Sequence, residues 1–373
     1  MSRPDVRLPI DRDKSLGEQP ERGHNRWHPD IPPVVTVEPG QVVAMETLGS
    51  MDAPVGWETT ADDVRRSNGR LVHPLTGPVY VEGAEPGDIL EVKVVEVVPE
   101  PFGFTLQIPG LGFLRDAFTE AHIVHWQLAD GFATSPDLPG VRVRGAPFMG
   151  VMGVAPSRAL LDRITARESA LLARGGMVNL PDPGNAVPGD PAIARAGMRT
   201  IAAHENGGNL DIKQLTSGAT LRLPVFVPGA LFSAGDAHFA QGDGEACITA
   251  IEMGATLRAS FTLRKGEAER RGIRDAQFYR TDAGSRAEPE PQRYFATTGQ
   301  SYSRDGVNYS EDVTVATRNA LLNMIDHLVD ERGYTPQQAY AICSVAVDLK
   351  ISALVNVPNV LVSAFLPLDI FVA

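Results

Sequence analysis

Two short runs in the middle of the chain combine acidic residues with glycines. Residues 207–213 read Gly-Gly-Asn-Leu-Asp-Ile-Lys, and residues 235–245 read Gly-Asp-Ala-His-Phe-Ala-Gln-Gly-Asp-Gly-Glu. Glycine permits sharp turns and a close approach of the backbone to a ligand, while carboxylates and imidazoles bind metals or transfer protons. Apolar runs typical of strands, residues 221–232 and 246–251, flank the second run. Polar groups placed between buried strands indicate a functional site.

The spacing within the second run predicts that its polar side chains converge. Asp236 and His238 are two residues apart, as are Asp243 and Glu245, so each pair points to one side of an extended strand. The glycines on either side of Asp243 would let the chain double back between the pairs. Four ionisable groups would then share a small volume, which is costly unless a metal ion or a shared proton offsets their repulsion.

A mixed set of nitrogen and oxygen ligands would suit zinc in a hydrolase. Asn209 and Asp211 repeat the two-residue spacing after a Gly-Gly pair, and Asp211 could join Asp236 and His238 around one metal. With one ligand position open, such a metal lowers the pKa of bound water and polarises a carbonyl group. A carboxylate nearby in the second run would act as the general base.

Other interpretations of the same residues stay open. Asp243 and Glu245 are alternative candidates for the general base. The acidic groups could also simply cap turns and pair with Lys213 and Arg222, because Gly-Asp-Gly is common in hairpins. A thiol mechanism is a minor alternative, since Cys247 lies two residues from Glu245 and a Cys247–Glu245–Lys213 triad can be drawn on one face of a strand.

The seven histidines other than His238 give weaker signals. His24 and His28 have a His-x-x-x-His spacing, but Pro29 follows at once, so a zinc-binding helix is disfavoured there. His24 could still reach the site from a loop. His122 and His125 lie in an apolar run and are expected in the core or in a lid. The other three carry no neighbouring pattern: His73, His204 and His327.

The overall composition argues against several classes of protein. The 373 residues carry a formal net charge of −12, and an acidic surface repels the phosphates of nucleic acid. Two cysteines cannot build a disulfide framework and fit a reducing compartment. Residues 1–22 lack the apolar segment of a signal peptide, and no apolar run is long enough to cross a bilayer. We therefore expect a cytoplasmic protein without a membrane partner.

The rest of the sequence predicts a mainly β fold. Its 36 glycines and 29 prolines separate short runs rich in valine and isoleucine. We expect a β-sandwich-like catalytic lobe over residues 1–264, with a helical excursion near residues 157–173, and a smaller α+β region over residues 265–373. An apolar stripe predicts a helix over residues 310–331. A second helix begins after Thr335, which is followed by proline and then by glutamine at the third position.

Several motifs resemble the acetamidase/formamidase family, most closely its formamidase branch. The first is residues 24–32, His-Asn-Arg-Trp-His-Pro-Asp-Ile-Pro, and the others are residues 77–88, 207–213, 224–245 and 347–352. Because separate motifs follow one another in the right order through nearly the whole chain, the resemblance is specific. It implies a β-rich fold with an α+β appendage, a homo-oligomer, and hydrolysis of the C–N bond of a small amide to a carboxylate and ammonia.

The resemblance also implies roles for individual residues. A divalent metal, expected to be zinc, would lie near His24, Asp211, Asp236 and His238, with Glu245 as the base that serves a metal-activated water. The remaining candidates lie within the matching motifs: Asp243 and Lys213 as catalytic residues, and Trp27, Asn209 and Gln241 as substrate-binding residues.

The substrate is left open by the neighbours of these residues. Ala237 and Phe239 flank His238, Leu210 precedes Asp211, and such neighbours could reshape the pocket. Four aromatic residues could line a larger apolar site: Phe102, Phe104, Phe113 and Trp126. Acetamide, a lactam or a carbamate therefore stay open beside formamide.

A function of a different class also stays open. In a β-sandwich binding protein, a structural calcium could lie on the oxygens of Asp211, Asp236 and Asp243, with His238 outside that shell.

Overall fold

Strands joined by tight turns make up most of the molecule. The computed structural model describes residues 5–52, 54–281 and 293–372. Strands take up 34% and helices 19%, so the predicted mainly β fold is confirmed. The strands are β1 (Val6–Leu8), β2 (Gly23–His24), β3 (Arg26–Trp27), β4 (Val35–Val37), β5 (Val42–Thr47), β6 (Leu75–Val81), β7 (Ile89–Gln107), β8 (His122–Ala129), β9 (Phe132–Thr134), β10 (Arg142–Arg144), β11 (Phe148–Gly153), β12 (Met198–Arg199), β13 (Ala203–His204), β14 (Gly207–Asn209), β15 (Thr220–Pro224), β16 (Phe232–His238), β17 (Glu252–Arg264), β18 (Gln277–Tyr279), β19 (Tyr294–Gln300), β20 (Asp348–Ala353) and β21 (Leu361–Pro367). The helices are α1 (Ala61–Arg65), α2 (Arg158–Leu172), α3 (Pro191–Ala196), α4 (Glu267–Arg271), α5 (Val313–Arg332) and α6 (Pro336–Ala346), with short 3-10 turns at Leu16–Glu18 and Leu368–Ile370.

The two longest strands, β7 and β17, form the spine of the β-rich part. They pair antiparallel from Ile89 opposite Arg264 at one end to Phe104 opposite Glu252 at the other. Leu90 and Val92 on β7 are completely buried, because alternate side chains of a strand point into the core. The Glu252 end of this pair lies beside the acidic run of the sequence.

Within the described residues, sixteen strands are joined by hydrogen bonds into one branched sheet. Its main path runs β10-β9-β8-β7-β17-β16-β11-β14-β13. Strand β16 is buried along its whole length between β11 and β17. The two acidic runs therefore come together here, because β14 and β16 both pair with β11. The sandwich-like arrangement of this sheet stays a prediction.

The helices begin at residues whose side chains satisfy the first backbone N–H groups. Ser157 accepts from the amide of Leu160 at the start of α2, which covers the predicted helical excursion. Asp312 caps α5, where the apolar stripe predicts a helix. Thr335 forms a capping box with Gln338 at the start of α6, as its sequence predicts.

The C-terminal part of the chain combines α5 and α6 with a separate three-stranded sheet. The strands pair in the order β19-β21-β20, and α5 packs against β19 and β21. Both helices also contribute to the apolar cluster that fills the β-rich part. Strand β18, just after residue 264, pairs with β15 of the large sheet. A division into residues 1–264 and 265–373 stays a prediction, and residues 282–292 lie outside the described residues.

Membrane spans were sought among the helices of the described ranges. None of those helices combines the length and the apolar character needed to cross a bilayer.

Candidate active site

The centre of the site is the C-terminal end of β16. His238 lies opposite Glu252 of β17 on one side and opposite Phe148 of β11 on the other. The ring of Phe148 meets the imidazole edge-on, with 5.1 Å between ring centroids. His238, Glu252 and Asp236 are all at most 3% exposed. Strand pairing thus holds an imidazole and two carboxylates inside the sheet.

Three carboxylates surround one nitrogen of His238. Its Nε2 atom lies 3.2 Å from Glu252 Oε1, 3.5 Å from Asp236 Oδ1 and 3.8 Å from Glu245 Oε1. The donor atoms of Asp236, His238 and Glu252 all lie within 4.8 Å of one another, and so do those of Asp211, His238 and Glu245. His238 therefore belongs to both of these overlapping groups of residues that could hold a metal ion.

The side chain of Gln241 fixes which nitrogen of His238 carries the proton. Gln241 Nε2 donates to the backbone carbonyl of Asp211 at 3.0 Å, so its Oε1 faces His238 Nδ1 at 2.9 Å and accepts from it. With the proton on Nδ1, the lone pair of Nε2 points at the carboxylates. A lone pair and carboxylate oxygens turned toward one another need a cation or a proton between them.

Unsatisfied atoms and free space at the cluster fit a metal ion. Four buried atoms have no hydrogen-bond partner within the described part of the chain: Asp211 Oδ1, Asp236 Oδ1, His238 Nε2 and Glu252 Oε2. Buried polar atoms are normally paired. A Cβ atom added to Gly150 would lie 2.6 Å from Asp211 Oδ1, 2.8 Å from Asp236 Oδ2 and 2.9 Å from His238 Cε1. The glycine therefore leaves a small space bordered by the candidate ligands.

The backbone is strained at each acidic residue that the two sequence runs contribute to the cluster. Asp211 has a φ of 47°, Asp236 of 57° and Glu245 of 45°, all in the left-handed region. Such conformations cost free energy and persist where a fold holds side chains in a functional position. Asp236 and His238 do meet, but strand alternation alone does not account for it, because Asp236 departs from extended geometry.

The protonation of the cluster reflects one imidazole among four carboxylates. Burial lowers the pKa of His238, but the charges of Glu252 and Asp236 outweigh it and hold this pKa well above its ordinary value. Burial raises the pKa of Asp211 to about 7; the charge of His238 lowers this pKa, and that of Asp236 raises it further. Burial also raises the pKa of Glu245, with Asp211 adding to it, and that of Glu252. The cluster therefore holds protons that a bound cation would replace.

A sequence model of the acetamidase/formamidase family matches residues 9–373. The chain belongs to this family. It is 39% identical over 365 residues to an acetamidase from Mycolicibacterium smegmatis, with 91% of this chain and 89% of that protein covered. It is 36% identical over 381 residues to a formamidase from Methylophilus methylotrophus, with 97% and 92% covered. A gamma lactamase from Delftia acidovorans has a solved structure that matches with a TM-score of 0.93 at 36% identity, covering 98% of this chain and 93% of that one.

Membership of the acetamidase/formamidase family confirms the predicted family and the predicted amide-hydrolysing activity. Relatives named for acetamide and for formamide resemble the chain at similar identity. The family therefore gives the class of reaction and leaves the acyl group open.

The predicted ligand His24 is hydrogen-bonded to a serine rather than to a residue of either group. Its Nε2 is 2.7 Å from the hydroxyl of Ser233, and burial lowers its pKa to about 4. Among the described residues, neither group of converging ligands includes it. Its role as a ligand stays a prediction.

The predicted substrate-binding residues have three different settings. Trp27 is buried in a T-shaped contact with the ring of His24, at 5.4 Å between centroids, and its Nε1 has no hydrogen-bond partner among the described residues. Asn209 donates to the carbonyl of Ile201 at 3.0 Å, while its Oδ1 has no partner. Gln241 already contacts His238 and Asp211 with both ends of its amide. Trp27 and Asn209 therefore keep polar atoms for a ligand, and Gln241 orients the cluster.

Asp243 and Lys213 form an ion pair beside the cluster. Lys213 Nζ lies 3.1 Å from Asp243 Oδ1 and is also hydrogen-bonded to Asp348 at the start of β20. Burial and the charge of Asp348 raise the pKa of Asp243. These contacts tie both acidic runs to the C-terminal part of the chain. The catalytic roles of Asp243 and Lys213 stay predictions.

The thiol of Cys247 lacks the surroundings of a nucleophile. Its Sγ is 3.4 Å from the carbonyl of Leu106 and 3.6 Å from that of Thr249, and it donates to both. Burial raises its pKa, whereas reactive cysteines have a lowered pKa and a cationic neighbour. The structure therefore favours the carboxylate cluster over the thiol alternative.

Sequence reasoning missed three residues of the site. Glu252 lies at the end of an apolar run, and only its pairing with His238 reveals it. His73 Nε2 lies 3.8 Å from Asp236 Oδ2, while its Nδ1 donates to the carbonyl of Thr200 at 3.3 Å. Gly150 matters because a side chain at this position would fill the space between the candidate ligands. No spacing rule in the sequence identifies these residues, because each reaches the site from a different strand or loop.

Proposed function

We propose that this enzyme hydrolyses small aliphatic amides of the formamide or acetamide type at the cluster around His238, with help from a divalent metal. The observation that carries the proposal is the set of buried, unpartnered donor atoms that converge on Nε2 of His238. It occurs in a chain of the acetamidase/formamidase family. A cluster so poorly satisfied is retained because a ligand completes it.

Asp211, Asp236 and His238 are the residues that would hold the metal, and Glu252 adds a fourth donor. When bound, a divalent metal supplies a Lewis acid that polarises an amide carbonyl and makes water more acidic. One nitrogen and several carboxylate oxygens form a donor set typical of zinc or another first-row metal. Calcium prefers an all-oxygen shell, and here His238 Nε2 lies inside the cluster rather than outside it.

We propose that Glu245 moves the proton during hydrolysis. Its carboxylate reaches His238 from the outer side of the cluster and is 15% exposed, whereas that of Glu252 is almost fully buried. A group at the open side can accept a proton from water and deliver it to the leaving nitrogen. We propose that the Nε1–H of Trp27, which has no hydrogen-bond partner among the described residues, donates to the substrate carbonyl.

The test measures ammonia release from formamide, acetamide and larger aliphatic amides, with metal-free protein and after adding zinc, manganese or calcium. Asparagine has the same shape as aspartate and also tolerates the left-handed backbone at position 211. Asp211→Asn therefore removes only the charge, and it should reduce turnover at least about 1000-fold. Asp116→Asn is the matched control, because Asp116 forms an exposed ion pair with Arg318. Full activity in chelator-treated protein would refute the proposal that hydrolysis needs a metal.

A cyclic amide is a second candidate substrate. The matching structure of the gamma lactamase from Delftia acidovorans is similar over nearly its whole length. A gamma lactam has the same C–N bond as a linear amide and needs the same chemistry in a wider pocket. Ring opening of a simple gamma lactam, measured beside acetamide, distinguishes the two by their kcat/KM ratio; carbamates belong in the same panel.

We further propose a cytoplasmic homo-oligomer whose substrates are small molecules, without nucleic acid or membrane as partners. The acidic chain supports the absence of nucleic acid, its two cysteines fit a reducing compartment, and the homo-oligomer is what the family resemblance implies. Light scattering coupled to size-exclusion chromatography would test the oligomer. Limited proteolysis around residue 264 would test the proposed division of the chain.

A further inference from the structure

The loop that carries Glu245 has little regular structure of its own. It links β16 to β17 through residues 239–251, and turns within it are closed by Glu245 N–H to Gly242 O at 3.2 Å and by Ile248 N–H to Glu245 O at 3.0 Å. Glu245 itself has left-handed backbone. A strained carboxylate on an irregular loop needs external support to keep one position.

That support comes from helix α6 of the C-terminal part. The hydroxyl of Ser344 accepts from the amide of Cys247 at 3.0 Å and donates to the carbonyl of Thr249 at 2.8 Å. The backbone carbonyl of Ser344 accepts from the amide of Gly242 at 2.8 Å. One buried serine therefore binds the loop at three points on both sides of Glu245.

A second hydroxyl on the same face of α6 extends this contact. Tyr340 lies one helical turn before Ser344, and its hydroxyl donates to the carbonyl of Ala246, next to Glu245. The same hydroxyl accepts from the amide of Leu114 at 2.9 Å. Close packing excludes any larger residue at Gly242, where an added Cβ would lie 2.4 Å from the carbonyl of Val347. The loop thus rests directly on the end of α6.

We infer that Ser344 is a positioning residue for amide hydrolysis: it holds Glu245 at the cluster without touching the substrate. The inference rests on the proposed function of Glu245. It assigns a catalytic purpose to the C-terminal part of the chain, whose helix α6 completes a site built on the large sheet. A carboxylate displaced by even about 1 Å can slow a reaction roughly 100-fold.

The test replaces Ser344 by alanine and measures ammonia release from the best amide. We expect kcat to fall roughly 10- to 100-fold while KM changes less than about threefold. Ser363→Ala is the matched control, because Ser363 is also a buried serine of the C-terminal part but is hydrogen-bonded to Ser352 at 2.7 Å. Its activity should stay within about twofold of the wild type.

A double-mutant cycle with Glu245→Gln separates positioning from general loss of structure. If Ser344 acts through Glu245, Ser344→Ala should reduce the residual rate of the Glu245→Gln enzyme less than about twofold. Fully multiplicative losses would overturn the inference, as would a Ser344→Ala enzyme with wild-type kcat. Should Ser344→Ala fail to fold, Tyr340→Phe takes its place in the same cycle.

Hydrogen exchange gives a readout that does not need activity. Peptides covering residues 242–250 should exchange faster in Ser344→Ala than in the wild type, with no change in the Ser363→Ala control. Unchanged protection of this loop would refute the support by α6. If the wild type releases no ammonia but its loop exchanges faster in Ser344→Ala, the proposed function is refuted while the support of the loop by Ser344 is confirmed.

Discussion

Glu91 and Glu252 lie at opposite ends of the paired strands β7 and β17, and both are buried. Glu91 accepts from Arg222 at 3.2 Å and from Arg264 at 3.0 Å, so its charge is matched by two guanidinium groups. Glu252 faces His238 and further carboxylates, and its Oε2 has no partner. The same residue type on the same pair of strands is thus structural at one end and poised for a ligand at the other.

The comparison teaches that charge balance distinguishes a structural cluster from a functional one. A buried carboxylate stabilises a fold only when its charge and its oxygens are satisfied. Around Glu91 that condition is met by side chains of the protein. Around Glu252 side chains of the described residues do not meet it, and the proposed metal would complete the cluster there.

The substitution Glu252→Gln should separate stability from activity most strongly. Glutamine keeps the acceptor that binds the amide of Ala250 at 3.0 Å. We expect activity to fall roughly 1000-fold and metal affinity 10- to 100-fold, since a donor at the centre is lost. The metal-free protein should become more stable, because burial disfavours the charged form of Glu252 and glutamine carries no charge. Unfolding in urea after chelation, together with ammonia release, checks both halves; a loss of stability would contradict the comparison.

Gly150→Ala should prevent metal binding without changing the charges of the site. The new Cβ would lie 2.6 Å from Asp211 Oδ1 and 2.8 Å from Asp236 Oδ2. We expect about a 100-fold loss of activity and substoichiometric metal, because the space between the ligands is filled. Metal content measured by mass spectrometry gives a readout besides turnover. Gly69→Ala is the control, since an added Cβ there meets nothing within 4 Å among the described residues and the backbone is not left-handed.

Gln241→Leu should lower the metal affinity of the site, because the imidazole of His238 is no longer held in one orientation. Leucine removes both the acceptor for Nδ1 and the donor to the carbonyl of Asp211. We expect metal affinity to fall about 10-fold, the usual effect of losing a group that orients a metal-binding histidine. Competition against a chelator with known affinity would measure it. Unchanged affinity would mean that packing against Phe148 suffices to hold the ring.

Glu91→Gln should have the opposite profile to Glu252→Gln. The substitution leaves Arg222 and Arg264 with less compensation in a partly buried setting. We expect a loss of about 1–3 kcal/mol in the free energy of unfolding, with kcat and KM unchanged. Denaturant unfolding and steady-state kinetics on the same preparation provide the check, and a change in kcat would break the proposed division of roles.

Asp52 shows how burial alone changes the pKa of a carboxyl group that lies outside the cluster around His238. Its Oδ1 accepts from the amide of Leu16 at 2.6 Å, its Oδ2 has no partner, and burial raises its pKa to about 6. A raised pKa means that the folded state holds the proton more tightly, so this contribution to stability is present below pH 4 and is lost as pH rises through 6. Asp52→Asn removes this penalty, so it should stabilise the protein by about 2–3 kcal/mol more at pH 7.5 than at pH 4, because the pKa of Asp52 is raised by about two units. Thermal unfolding at the two pH values tests this.

Much of the fold and part of the site could be predicted from the sequence. The caps at Ser157 and Thr335 are local signals, and the helices begin there because each cap depends on residues within one turn. Asp211, Asp236, His238 and Glu245 could be singled out because glycine-flanked polar residues interrupt apolar strands. Glu252 and His73 could not, because their importance depends on strand pairing and loop placement rather than on neighbours in the sequence.

The sequence by itself determined the class of the chain, the family to which it belongs and the residue types available for chemistry. These follow from composition, local periodicity and motif order, which are properties of the chain alone. Only the tertiary structure decided which carboxylates share His238, which one is balanced by arginines, and which helix supports Glu245. Such matters depend on contacts between residues far apart in the chain, and the charge balance of a buried group is set by whatever the fold places within a few ångströms of it.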